Sequence, residues 1–95
     1  MASSKEYLAF VLDQLSDVGD VTYKPMMGEF LLYYKGKLFG GIYDDRFLVK
    51  PTQAVLELMP NAVRELPYPG AKEMLLVEEI DDREFLSGLM KTIGE

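Results

Sequence analysis

Ninety-five residues, 48% of them hydrophobic and 12% aromatic, suit one globular domain over 1–95 and are too few for two. With neither cysteine nor histidine, the chain excludes disulfides, thiolate nucleophiles, imidazole bases and the usual zinc sites, and no cofactor is expected. Sixteen acidic against ten basic residues give a net charge of −6, which repels phosphate backbones and anionic lipid and argues against direct nucleic acid or membrane binding.

In chain order, Leu8, Val11, Leu12 and Leu15 recur at helical spacing and predict an amphipathic helix from Ser4 to Val18. Ser3 with Glu6 fits a capping box at its start, and Gly19 suits its end. Val21 to Met27 is strand-prone, and Pro25, which lacks an N–H, suits a strand at a sheet edge. Glu29 to Lys35 and Leu38 to Asp44 read as two strands joined by a Gly36-Lys37 hairpin turn. Asp44-Asp45 is a second polar turn, and Arg46 to Lys50 a third strand of the meander.

Pro51 ends that strand, and Thr52 caps a helix of about two turns that Pro60 stops after Met59. Asn61 to Ala71, with Pro67, Pro69 and Gly70, reads as a loop. Met74 to Val77 reads as one more strand. Asp81 with Glu84 forms a second capping box, and Phe85, Leu86, Leu89, Met90 and Ile93 give a final helical stripe. The expected fold is α+β, in the order α-β-β-β-β-α-β-α: an antiparallel meander plus one further strand, with helices packed on the sheet.

Lys24-Pro25-Met26-Met27-Gly28, the run Phe30 to Tyr34, Gly36-Lys37-Leu38-Phe39 and Asp44 to Lys50 together resemble the N-terminal domain of the TfoX/Sxy family. The likeness extends over nearly the whole chain. Members of that family include bacterial regulators of natural competence that act with the cyclic AMP receptor protein, often with a separate C-terminal domain. The resemblance therefore implies a fold and a regulatory class, with a link to transcription or competence; it supplies no catalytic or cofactor residues.

Residue patterns that suggest chemistry have structural readings. Tyr33 and Lys37 have the Y-x-x-x-K spacing of reductases, but they fall on a strand and its turn rather than on one helix face, and no G-x-G-x-x-G loop accompanies them. Lys37 to Tyr43, with Phe39-Gly40-Gly41-Ile42-Tyr43, loosely matches an RNA-stacking strand, without the right spacing or element order. Adjacent acids such as Asp44-Asp45, Glu78-Glu79 and Asp81-Asp82 rarely converge on one ion; Asp44-Asp45 suits a turn and Asp81-Asp82 a helix start, and no calcium-loop pattern is present. An enzyme is not expected.

More informative is the hairpin, because neither of its alternating faces is polar throughout. Phe30, Leu32 and Tyr34 point one way, Leu31 and Tyr33 the other; across the turn, Leu38 and Ile42 alternate with Phe39 and Tyr43 around Gly40-Gly41. Either helices cover both faces, or one face meets a partner or a second copy; the glycines can also admit a bulge. The expected function is a non-catalytic interaction or regulatory module. Its candidate surface is Leu31, Tyr33, Phe39 and Tyr43, for a protein partner or a homodimer. The alternative is a small-ligand sensor whose pocket lies between the sheet and the Pro67–Gly70 loop, lined by Met26, Met27, Phe39 and Tyr68. Apolar runs are too short for a leader or a membrane span, the longest being Tyr7 to Leu12, so a cytoplasmic location is expected.

Overall fold

A computed structural model describes residues 3–94; Met1, Ala2 and Glu95, at the ends of the 1–95 span, lie outside the described residues. Three helices, α1 (Lys5–Gln14), α2 (Gln53–Leu58) and α3 (Arg83–Gly94), accompany six strands: β1 (Val21–Met26), β2 (Glu29–Tyr34), β3 (Lys37–Ile42), β4 (Phe47–Val49), β5 (Arg64–Glu65) and β6 (Met74–Leu76). The strands form one antiparallel sheet in the order β1-β2-β3-β4-β6-β5. The α+β fold is the expected one, with one addition: β5, two residues long, pairs with β6 inside the segment expected to be a loop.

Three two-residue turns build the meander. Met27-Gly28, Lys35-Gly36 and Asp44-Asp45 all have positive φ at both central positions, from 51° to 87°, the signature of type I′ turns that match strand twist. The β2–β3 turn is therefore Lys35-Gly36 rather than Gly36-Lys37, because a type I′ turn places the glycine second, and Lys37 opens β3. Pro25 lies on an edge strand, as its missing donor requires. Residues flanking a two-residue turn form a hydrogen-bonded pair, and such pairs alternate along the ladder. Pro25 is thus in a non-bonded pair with Phe30, and its nitrogen faces the open edge.

Both capping serine and aspartate positions move one residue later than expected. Ser4, not Ser3, caps α1, its Oγ accepting from the Tyr7 N–H at 3.1 Å, and Asp82, not Asp81, caps α3 by accepting from Phe85 at 3.0 Å. Each cap stabilises its helix by about 1 kcal/mol. Ser3 instead ties the chain start to the hairpin turns, where its Oγ donates to Glu29 Oε1 at 2.9 Å and accepts from the Asp45 N–H at 3.1 Å. After Gln14 the α1 pattern tightens into turns of i→i−3 bonds, Ser16 to Asp13 and Val18 to Leu15, so the regular helix is shorter than Ser4–Val18.

A bulge decides which residues face the core. Leu32 pairs with Gly40 and Tyr33 with Leu38, so Phe39 is an extra residue on β3. Strict alternation would put Phe39 with Tyr43; the bulge instead places Phe39 beside Ile42 on the helix side, where its ring meets Phe47 edge-on at 6.3 Å. The resulting core joins Leu8, Val11 and Leu15 of α1, Val55 of α2 and Leu86, Leu89 and Met90 of α3 to Leu32, Ile42, Phe47, Val49 and Leu75 of the sheet. Each such side chain contributes about 1.5–3 kcal/mol on burial.

Gly40 makes that bulge possible. A Cβ there would lie 2.2 Å from the Leu48 carbonyl oxygen and 3.0 Å from Val49 Cα, both backbone atoms of β4. Gly88, on the exposed side of α3, has nothing within 4 Å. Gly40→Ala is expected to cost about 3 kcal/mol or more, because the β3–β4 ladder must separate, while Gly88→Ala stabilises by about 0.5–1 kcal/mol. Urea unfolding of the two variants checks both signs.

Candidate functional site: the sheet face opposite the helices

All the helical core residues lie on one face of the sheet. On the other face the strand register aligns Leu31, Tyr33, Leu38, Tyr43, Leu48, Met74 and Leu76. Tyr43, Leu48 and Met74 form a second, smaller apolar cluster there, flanked by the half-buried Leu31 and Leu76. Gly41 provides the seat for Tyr43: a Cβ at Gly41 would be 2.7 Å from Tyr43 Cε2 and equally close to the Phe30 carbonyl oxygen.

Instead of a helix, a strap of residues 66–73 crosses part of this face. Pro67 is buried, and the Tyr68 ring is 6.4 Å from that of Tyr43. Arg46 holds the strap at its start: Nη1 pairs with the Glu65 carboxylate, Nη2 donates to the Leu66 carbonyl at 3.2 Å, and Nε donates to the Tyr43 carbonyl at 3.1 Å. A rigid guanidinium fork can make all three contacts at once.

Two open grooves flank Tyr68. One, of about 670 Å³, runs from Met27, Glu29, Asp44 and Arg46 to Leu66 and Pro69. The other, of about 640 Å³, lies between the far side of the strap and Leu38, Tyr43, Lys50 and Met74. At the first groove Met27 is 98% exposed, Tyr68 53% and Leu66 46%. Glu29 fixes its floor: Oε1 accepts from the Ser3 N–H and Oγ, both at 2.9 Å, and Oε2 from the Asp44 N–H at 2.8 Å. Ser4 N–H donates to Asp45 at 2.8 Å, so the first described residues bind two hairpin turns together.

Leu31, Tyr33 and Tyr43 of the expected surface therefore share the helix-free face. Phe39 does not: the bulge turns it into the core, 4% exposed. Of the expected pocket residues, Met27 and Tyr68 meet at one groove, Met26 lines neither groove, and Phe39 is on the opposite side of the sheet. Tyr33 and Lys37 lie on neighbouring strands, one register step apart, so the reductase spacing does not form a helix face. Among the described residues no three carboxylates gather where a cation could be held. Along the sequence Pro67 marks only the start of the pocket loop and Arg46 only the start of a strand, and nothing singles out Leu66; the alternation of Leu66 and Tyr68 with two prolines is the one local sign that the loop packs.

The fold is thus a two-layer domain, helices over one side of a twisted antiparallel sheet, with a strapped apolar face on the other. The profile of the TfoX N-terminal domain matches residues 13–86, and the chain belongs to that family. It is similar to an uncharacterised 12.7 kDa protein in the trpE 5′ region of Spirochaeta aurantia, 39% identical over 80 residues that span 84% of this chain and 70% of the relative. No solved structure gives a significant match. Among the described residues no helix is long and apolar enough to cross a membrane.

Burial raises the Tyr43 phenol above its ordinary pKa of 10.0, with the neighbouring Tyr68, Glu29 and Tyr33 adding to the shift. Tyr7 is raised too, chiefly by burial, with a Phe47 backbone hydrogen bond opposing. A raised native pKa means the unfolded chain loses its proton first, so stability is complete below pH 10 and falls as pH climbs through the native value. The double variant Tyr7→Phe/Tyr43→Phe is expected to show a shallower alkaline loss of unfolding free energy than the wild type in denaturant titrations.

Arg46→Lys keeps the charge and loses the fork. About 1 kcal/mol of stability should go with it. Hydrogen exchange should quicken at Ala71, whose N–H donates to the Tyr68 carbonyl at 3.1 Å, while β2 amides keep their protection relative to global stability.

Proposed function

We propose that this chain is a non-catalytic, regulatory interaction module that binds another protein through the helix-free face of its sheet, at the groove beside Tyr68. The observation that carries this reading is the cluster of exposed apolar side chains there. Met27, Leu66 and Tyr68 lie together at one groove, and Met27 is held in a left-handed conformation at φ 51°. An exposed methionine there costs about 1 kcal/mol of backbone strain and gains nothing in packing within the monomer. Contiguous exposed apolar residues with a charged rim, here Asp44 and Arg46, are the usual mark of a contact surface. Methionine adapts to varied partner shapes.

Family membership supports a regulatory setting, and the absence of histidine and cysteine from the sequence supports binding over bond-making. The particular process, competence or another transcriptional response in the bacterial cytoplasm, is part of the proposal. The grooves beside Tyr68 are of ligand size, about 640 and 670 Å³, which supports a second reading as a small-ligand sensor. Their openness to solvent favours a protein segment.

The test is quantitative capture from the native cell with tagged wild type, Met27→Asp, Tyr68→Asp and the control Phe10→Asp, whose site is on the outer side of α1. A specific partner should lose about tenfold or more in recovery with the first two and stay within about twofold with the control. Light scattering across concentration reads the same variants for self-association. If neither capture nor self-association depends on Met27 or Tyr68 while circular dichroism shows all variants folded, the reading is wrong.

A further inference from the structure

A further cleft lies where the β2–β3 turn meets the start of α2 and the end of α3, adjoining the groove on the far side of the strap at Leu38, Lys50 and Thr52. It holds about 200 Å³, and Lys35, Lys37 and Lys50 stand around it. Its apolar lining includes Phe39, Val55 and Ile93. We infer that this cleft is a binding site for a small organic carboxylate with a compact apolar body, such as an aryl or short branched-chain acid.

Charge is the first ground. The protein carries a net −6, yet Lys35, Lys37 and Lys50, from three separate chain positions, all line this cleft, and none of its described lining residues is acidic. Among the described residues the ion pairs belong to Arg46 and Arg83, and none uses a lysine. Like charges gathered without a counter-charge repel one another, and an anion placed between them removes that cost. The end of α3 does not account for the three, because Lys91 already supplies a cation to its last turn.

The second ground is the lining. The bulge that sends Phe39 inward also places Lys50, whose N–H donates to the Phe39 carbonyl at 3.0 Å, so an apolar wall and a cation are held side by side. Tyr34, Leu38 and Ile93, each half-buried, give that wall its accessible surface. Thr52 lines the cleft as well; its Oγ1 accepts from the Val55 N–H at 3.4 Å, which leaves the hydroxyl proton free to donate outward. A carboxylate therefore meets ammonium and hydroxyl donors while its hydrocarbon covers the wall. Inorganic phosphate would leave that wall wet, and the volume is below the roughly 300 Å³ of drug-sized sites, which limits the body to about one ring.

The test is a titration of the full chain followed by amide shifts in two-dimensional NMR, with benzoate, its neutral counterpart benzyl alcohol, and inorganic phosphate. Benzoate should give saturable shifts at Lys37, Val55 and Ile93, with a midpoint lower than either control by about tenfold or more. Lys37→Gln and Lys50→Gln should each raise that midpoint at least about threefold, and the exposed Lys24→Gln, on β1 away from the cleft, should leave it unchanged. Benzyl alcohol closer than tenfold removes the role of charge. Phosphate closer than tenfold removes the role of the apolar wall. No saturable shift, or a midpoint indifferent to both lysine substitutions in spectra that show an intact fold, overturns the site. Lys37 and Ile93 line this cleft and neither groove beside Tyr68, so the Lys37→Gln arm and the Ile93 shift read the cleft apart from those grooves.

Discussion

The close approach of the β4 backbone to Gly40 is the constraint on which the rest of this structure depends. With only a hydrogen facing the Leu48 carbonyl, β3 can hold one residue more than its partner and still pair on both sides. The extra residue resets the alternation. Phe39 joins Phe47 under the helices, Leu38 and Tyr43 emerge on the far face, and Lys50 is bonded beside Phe39 at the rim of the lysine cleft. One missing side chain thus fixes the core, the open face and the charged cleft together, since strand geometry allows a residue only two directions.

Two charged hubs tie down the end of the meander where the β1–β2 and β3–β4 turns lie. Glu29 gathers donors from Ser3 and Asp44, so the start of α1 and two type I′ turns form one unit. Arg46 does the same for the strap, joining Tyr43, Glu65 and Leu66. Arg83 bridges Asp13 and Asp17 at 2.9 and 3.2 Å, but these groups are largely exposed and water weakens the pairing. The buried Gln14, donating to the Ile80 carbonyl at 3.0 Å, makes a firmer link between α1 and the segment before α3.

The two proposed surfaces divide the molecule by chemistry. Around Tyr68, Met27 and Leu66 are exposed apolar groups, and the nearby Glu29 and Arg46 are already engaged in structural contacts, which suits shape-dependent contact with a protein. Around Phe39 the cations have no structural acid partner among the described residues and the apolar wall is small, which suits a compact anion. Leu38, Lys50 and Thr52 line both the lysine cleft and the groove on the far side of the strap, so a ligand in one would lie against the rim of the other.

Periodicity, turn residues and caps fixed the local elements, since each depends on neighbours a few positions apart: the α1 and α3 stripes, the meander, the edge position of Pro25 and the Thr52 cap are all legible along the chain. The missing histidine and cysteine likewise bound the chemistry. Contacts distant in sequence decided the remainder. Nothing local to Leu38-Phe39-Gly40 says that Leu48 will press against the glycine, and so simple alternation puts Phe39 on the wrong face. Ser3 yields its capping position to Ser4 because Glu29, 26 residues away, binds it. The strap becomes a packed cover because Arg46, 20 residues earlier, reaches Leu66. Which face stays bare follows from where the helices pack, and that is a property of the assembled core rather than of any one segment.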